Sequence, residues 1–207
     1  MTQYGIELNM KNIEKMTLRR HLLPRQSMAD DDLQVLWRIE KGALRIDSKT
    51  SDEPASFVRL ALPGDLVGME HFVGVSDTLT IRAITEVSLS PVSYLDDKQL
   101  TKLLMSAVLT SYQRCREAVS LRSGPVDERV KRLLRLLAEE GEADANKSSS
   151  CVLPSLGNIA EIIHSTRETV CRVLNNLKEA RLLAYGDPEK IKRRHLENRE
   201  HVLQLSA

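Results

Sequence analysis

The sequence predicts an α+β chain: an antiparallel β-roll first, then a long helix, then a helix-turn-helix towards the C-terminus. Three observations carry this. Short apolar runs separated by Gly and Pro fill residues 33–94, the spacing of a small antiparallel barrel or jelly roll. The period turns helical near Asp96 and holds as far as Arg122, long for a helix in a small domain. Two short amphipathic segments then meet across a tight connection at 164–166, as two packed helices joined by a turn would.

The first 27 residues are mixed, and Lys11–Leu23 reads equally as a helix or an edge strand. The runs Leu36–Ile39 and Ala43–Ile46 lie on either side of Lys41-Gly42, which predicts a hairpin. Phe57–Leu62 forms the next strand and stops at Pro63-Gly64-Asp65, residues that favour a turn because Pro presets φ and Gly permits positive φ. Leu66-Val67, Leu79–Ile84 and Val87–Leu89 complete the set of strands.

Asp96 or Asp97 caps the long helix, since a carboxylate accepts the open amide protons of a first turn. This helix carries two apolar stripes. Met105, Val108, Tyr112, Cys115 and Val119 step by alternating three and four, the spacing of a coiled-coil seam. Leu100, Leu103, Leu104, Ala107, Ala118 and Leu121 form the other stripe. One stripe would pack on the β-roll and the other on a second copy of the chain, or both would be core. A second helix spans 126–140, with Val130, Leu133, Leu134 and Leu137 on one face, and residues 141–150 read as an exposed polar loop.

In the helix-turn-helix, Ser155 caps a short helix that places Leu156, Ile159, Ala160 and Ile163 on one face. Ala160 is small enough for a second helix to approach closely. Ser165 and Thr166 can cap that second helix, and Ser165 with Glu168 forms a capping-box pattern. Val170, Val173, Leu174 and Leu177 bury its inner face, while Arg167, Glu168 and Arg172 lie outside. Near the N-terminus of a helix in the major groove, an arginine can donate two hydrogen bonds to guanine and a glutamate can accept from the cytosine amino group. Glu168 and Arg172 are four apart, so each can also fix the other's rotamer.

Composition excludes more than it selects. The net charge is +1, so a claim on nucleic acid must rest on a local patch. Aromatic residues make up 3% of the chain, too few for the stacking platforms of a single-strand binder. Cys115, Cys151 and Cys171 are widely spaced, which argues for buried thiols in a reducing compartment rather than a zinc or iron–sulfur site. No nucleophile–base pair, metal-ligand spacing or Gly-rich phosphate loop stands out, so an enzyme is not expected. With no apolar signal core and no run of about 20 apolar residues, the expectation is a cytoplasmic protein without a membrane partner.

The run Ser-Thr-Arg-Glu-Thr-Val-Cys-Arg-Val-Leu at 165–174 resembles the recognition helix of the CRP/FNR superfamily of bacterial transcription factors. Lys41-Gly42, Pro63-Gly64-Asp65-Leu66-Val67-Gly68 and Ile81-Arg82-Ala83 are similar, in order and spacing, to that family's β-roll, and residues 97–122 to its dimerisation helix. The resemblance implies a cyclic-nucleotide-binding-like jelly roll over 1–95, a dimerisation helix over 96–123 and a winged helix-turn-helix over 124–207. It implies a homodimer on a near-palindromic double-stranded site with TGTGA-like half-sites, and RNA polymerase as a partner. Arg167 and Arg172 would then contact guanines and Glu168 a cytosine. Ser155, Thr166 and Thr169 are expected at the DNA as well. The wing would run between strands at 182–185 and 201–205. Its intervening segment holds Lys192, Arg193 and Arg194, which would grip phosphates or form a solvated loop.

The chain departs from the family pattern in places. Met69-Glu70 follow Gly68, and Asp77-Thr78 stand where cyclic-AMP-binding members carry an arginine and a hydroxyl residue. An acidic side chain repels a phosphate, so cyclic AMP is not expected and no other cofactor is indicated. The N-terminal cysteine cluster of oxygen-sensing members is absent, and His71 is a lone histidine near the pocket region. His164 occupies the turn position where the family usually has Gly, so the turn is expected to differ slightly. The alternative is a nucleotide-sensing module whose C-terminal helices make protein contacts only. The Arg167, Glu168 and Arg172 face discriminates between the two.

Overall fold

The computed structural model describes residues 19–48, 55–69, 79–92, 96–139, 150–179, 184–185 and 201–204. Among the described residues seven strands build the N-terminal half: β1 (Arg20–Leu22), β2 (Trp37–Lys41), β3 (Leu44–Ser48), β4 (Ser56–Ala61), β5 (Leu66–Val67), β6 (Leu79–Ala83) and β7 (Val87–Pro91). They form two antiparallel sheets of order β1-β7-β2-β5 and β4-β3-β6. Their inward side chains, Trp37, Ile39, Leu44, Ile46, Ile81 and Leu89 among them, fill the space between with apolar surface. Trp37 is fully buried, and its indole N–H donates to the Asp32 carbonyl at 2.7 Å, which satisfies the polar end of an otherwise apolar anchor.

The hairpin expected across Lys41-Gly42 does not form. β2 pairs with β5 and β7, whereas β3 pairs with β4 and β6. Gly42 carries the chain from one sheet to the other. It sits at φ +86°, and a Cβ there would lie 2.0 Å from the Glu86 carbonyl oxygen. Only glycine permits both that conformation and that approach. The corner is fixed by Ala43, whose N–H donates to the Thr85 hydroxyl at 2.8 Å and whose carbonyl accepts from Ile84 at 3.0 Å. Apolar runs on both sides of a glycine are as compatible with two facing sheets as with a hairpin, because each run supplies one inward face either way.

The turn at Pro63-Gly64-Asp65 closes as expected, with Asp65 N–H donating to Leu62 O at 2.9 Å. The buried Asp65 carboxylate accepts from Leu62 N–H at 2.9 Å and from both Nε and Nη2 of Arg114, at 2.9 and 3.3 Å. That two-pronged ion pair bolts the turn to α1 (Asp97–Ser120). Asp96 caps α1 by accepting from Gln99 N–H at 2.7 Å. Ala107, Ala118 and Leu121 are buried against the rest of the chain, whereas Met105, Val108, Leu109, Tyr112 and Val119 are each 60–67% exposed. The two stripes therefore part as expected, and the seam stripe gains Leu109.

Past Gly124-Pro125 the chain enters α2 (Val126–Glu139), which buries Val130, Leu133, Leu134 and Leu137. Arg132 of α2 donates to the Ser120 carbonyl, closing the C-terminus of α1. Then come β8 (Ser150–Leu153), α3 (Leu156–Ile162), α4 (Arg167–Glu179), β9 (Ala184–Tyr185) and β10 (His201–Gln204). The last sheet has the order β8-β10-β9. Both expected wing strands are present, and β8, read from the sequence only as the end of a polar loop and three apolar residues, joins them. One apolar cluster takes in Ala43, Phe57, Leu60, Leu62 and Ile84 from the roll, Ala118 and Leu121 from α1, and the buried faces of α2, α3 and α4. A single apolar cluster thus runs from the β-roll through the end of α1 to the C-terminal helices. The segment at 1–18, the loop at 141–149 and the wing residues 186–200 lie outside the described residues. Of the segment left open between helix and edge strand, Arg20–Leu22 is a strand at a sheet edge.

Candidate nucleic-acid interface

Ser155 starts α3 by accepting from Asn158 N–H at 3.3 Å. Ile159, Ala160 and Ile163 are buried as the spacing predicts, and Ile162 is buried too because the shared cluster covers a second side of this short helix. The helix ends with Ser165 N–H donating to Ala160 O at 2.8 Å and His164 N–H to Glu161 O at 3.3 Å. This nested pair is the Schellman closure, and it requires a left-handed residue at His164. His164 adopts it at φ +53°, so the turn keeps the geometry that glycine would give at some steric cost to histidine.

Thr166 caps α4. Its hydroxyl oxygen accepts from Thr169 N–H at 3.2 Å and lies 3.0 Å from the Thr169 hydroxyl. The capping box expected between Ser165 and Glu168 is therefore displaced by one residue: Thr166 is the cap and Glu168 sits at the second helical position. Val170, Leu174 and Leu177 are buried, and Val173 is half-buried. Arg167, Glu168 and Arg172 are all exposed on the opposite side.

The Glu168 carboxyl is held below the usual glutamate range, first by its own backbone N–H, then by the Thr166 hydroxyl and the neighbouring Arg167 charge, with partial desolvation opposing. Open amides at a helix start favour an anion, so this acceptor stays ionised at neutral pH. The pairing expected between Glu168 and Arg172 is not made: among the described residues neither they nor Arg167 take part in an ion pair. Among the described residues neither guanidinium fork is taken up by a carboxylate.

The structure thus brings Arg167, Glu168 and Arg172 together on one helix face, with Thr166 and Thr169 at its start. Ser155 opens the preceding helix, and its hydroxyl, like that of Thr166, is engaged in a cap. Lys192, Arg193 and Arg194 lie outside the described residues, as do His71, Asp77 and Thr78. Sequence reasoning missed Arg45, Arg122 and Arg129, which hold the end of α3 from behind. No residue spacing marks them, since their acceptors belong to an element far along the chain. Among the described residues no three or more His, Cys, Asp or Glu side chains gather to hold a metal, and no helix is long and apolar enough to cross a membrane.

Known proteins place these features. Residues 128–198 match the Crp-like helix-turn-helix domain. The chain is 28% identical over 159 residues to the transcriptional regulator LdrP of Thermus thermophilus, covering 74% of this chain and 80% of that one. It is 27% identical over 168 residues to the nitrogen fixation regulation protein FixK of Rhizobium meliloti, covering 81% and 78%. Among solved structures it resembles FixK2 of Bradyrhizobium japonicum, with a TM-score of 0.66, 21% identity and 92% of each chain covered. It also resembles a CRP-family transcriptional regulator of Thermus thermophilus, with a TM-score of 0.65, 22% identity and coverage of 90% and 91%.

Proposed function

We propose, because residues 128–198 match the Crp-like helix-turn-helix domain and the fold resembles that of solved CRP-family regulators, that this chain is a CRP/FNR-type transcription regulator acting as a cytoplasmic homodimer on a near-palindromic DNA site through residues 166–178. The observation that carries this reading is the face of α4. Arg167, Glu168 and Arg172 are exposed within two turns of a capped N-terminus, and none of the three is spent on an ion pair among the described residues. Arg167 and Arg172 each present a fork suited to guanine N7 and O6, and Glu168 an acceptor for a cytosine amino group. Together they would read a TGTGA-like half-site. Ser155, Thr166 and Thr169 would touch the sugar–phosphate backbone, and Lys192, Arg193 and Arg194 in the wing would add phosphate contacts that strengthen binding at low salt.

The exposed apolar stripe on the outer face of α1 supports dimerisation, since it has the spacing of a coiled-coil seam. A two-fold dimer presents two α4 helices to two half-sites, which is why the site should be palindromic. Bound upstream of a promoter, the dimer would contact RNA polymerase. The test is a mobility-shift comparison of a TGTGA–TCACA palindrome with a scrambled duplex at physiological salt. A strong preference for the palindrome supports the reading. Equal binding to both probes, or a palindrome preference untouched by Arg167→Ala, would sink it and leave a sensing module that contacts proteins instead.

A further inference from the structure

Four consecutive residues at the end of α3, Glu161 to His164, are each held by an arginine from outside the helix pair. Arg45 in β3 binds the Glu161 carboxylate. Arg122, just beyond α1, donates from Nε to the Ile162 carbonyl at 3.3 Å. Arg129 in α2 donates from Nη1 to the Ile163 carbonyl at 2.7 Å and to the His164 carbonyl at 3.2 Å. These carbonyls are among those a helix C-terminus leaves without partners, at the negative end of its dipole.

The three arginines come from three different parts of the molecule, and two of them share an aromatic ring. The guanidinium carbons of Arg45 and Arg122 lie 5.7 and 5.3 Å from the centroid of Phe57 in β4, within cation–π range. Arg45 is buried to 4% exposure and donates from Nε to the equally buried Asp47 at 2.6 Å. Arg82 of β6 stands 3.9 Å from the same Asp47 carboxylate. A line of alternating charge, Arg82–Asp47–Arg45–Glu161, thus runs from an outer strand of a roll sheet through its middle strand to the helix-turn-helix.

Stability alone does not account for this arrangement. An apolar contact of similar volume stabilises a fold as well as a buried ion pair or better. Arg129 even leaves its Nε buried without a hydrogen-bond partner while its Nη1 serves two carbonyls. What directional bonds supply and apolar contacts do not is a fixed angle.

We propose that Arg45, Arg122 and Arg129 are positioning residues that clamp the 161–164 turn and so set the angle of α4 to the roll and to α1. In a dimer joined along α1, that angle fixes the separation of the two recognition helices and hence the half-site spacing the protein accepts. This inference rests on the reading of α4 as the DNA-contacting helix.

The experiment uses the full chain and a series of palindromes whose half-site spacing changes one base pair at a time, together with a single half-site probe. Glu161→Gln removes the charge partner of Arg45 at an exposed position, and Arg129→Lys keeps the charge but removes the Nη1 donor that serves both carbonyls. The unaltered protein should favour one spacing. Each variant should bind that spacing about fivefold more weakly and lose discrimination against its neighbours, with dimerisation and single half-site affinity unchanged. Hydrogen exchange should quicken at the amides of 160–170 and not in β3. A spacing profile that stays as in the parent overturns the clamp. So does an equal loss on every probe accompanied by a lower Tm, which is plain destabilisation. A parent without preference for any palindrome over scrambled DNA removes the premise and the clamp with it, an outcome separable from the other two.

Discussion

Both α1 and α4 bury one face and leave the other bare, but the bare faces are of opposite kinds. On α1 the bare stripe is Met105, Val108, Leu109, Tyr112 and Val119. On α4 it begins with Arg167, Glu168 and Arg172. Apolar surface in water carries a free-energy cost of about 25 cal/mol per Å², so the α1 stripe favours any partner that is equally apolar. The charged face of α4 is well solvated and gives up its water only to a partner offering matched hydrogen bonds. In the dimer and DNA contact proposed above, the first face would supply affinity with little choice of geometry, and the second would supply choice. A regulator built from one chain needs both, on separate helices, so that assembly does not depend on the base sequence it meets.

The largest expected effect comes from removing the apolar character of the first face. Leu109→Glu with Tyr112→Glu should raise the dimer dissociation constant by more than about a hundredfold, since each tenfold needs only about 1.4 kcal/mol and two like charges would meet across the seam. Sedimentation at micromolar concentration reads this directly, and a variant that remains dimeric would mean that α1 is not the seam. Next is Arg167→Ala. It should weaken a TGTGA palindrome by about tenfold to a hundredfold per half-site, the worth of one bidentate base contact, while random duplex binding changes little. Equal losses on the two would move Arg167 from base reading to phosphate contact.

Smaller effects sharpen the same contrast. Thr166→Ala should lower stability by about 1 kcal/mol, as loss of an N-cap does, measured by chemical denaturation. A value near zero would show that the Thr166–Thr169 cap contributes nothing to holding α4. After the Glu168 backbone N–H, the same hydroxyl helps to hold the Glu168 carboxyl below its ordinary range. A folded-state value depressed in this way favours folding above the unfolded-state value, and that contribution fades as pH falls through the lower folded-state one. NMR titration should place Glu168 below ordinary glutamates in the parent and closer to them in Thr166→Ala. No difference between the two proteins would remove Thr166 from the explanation.

Much of this was legible in the sequence because the information was local. The caps Asp96 and Ser155 precede their helices, the apolar periods of α2 and α4 match their buried faces, and the family-like turn at 63–65 closes as read. The sequence leaves the α4 cap between Ser165 and Thr166 because the two are chemically alike; the Schellman bond of Ser165 N–H decides for Thr166, and the Ser165–Glu168 capping box does not form. What escaped was long-range. In Leu44-Arg45-Ile46-Asp47 the alternation suggests a wet polar face, yet all four residues are buried. The group that meets Arg45 lies 116 positions further on. The partners of β2 and β3 were likewise invisible, since alternation tells which side chains face inward but not which strand lies alongside.

One consequence of the last sheet concerns time. β10 is the central strand, paired with β8 on one side and β9 on the other. The chain reaches Leu153 well before His201, its partner. At about 5–20 residues per second of synthesis, β8 waits several seconds on the ribosome with both edges open, although α3 and α4 are complete in the meantime. Chains interrupted between residues 185 and 201 would carry a finished helix pair beside two orphan strands. Such fragments are candidates for edge-to-edge sticking, and a nascent-chain series stopped on either side of that residue would show where protection from proteases begins.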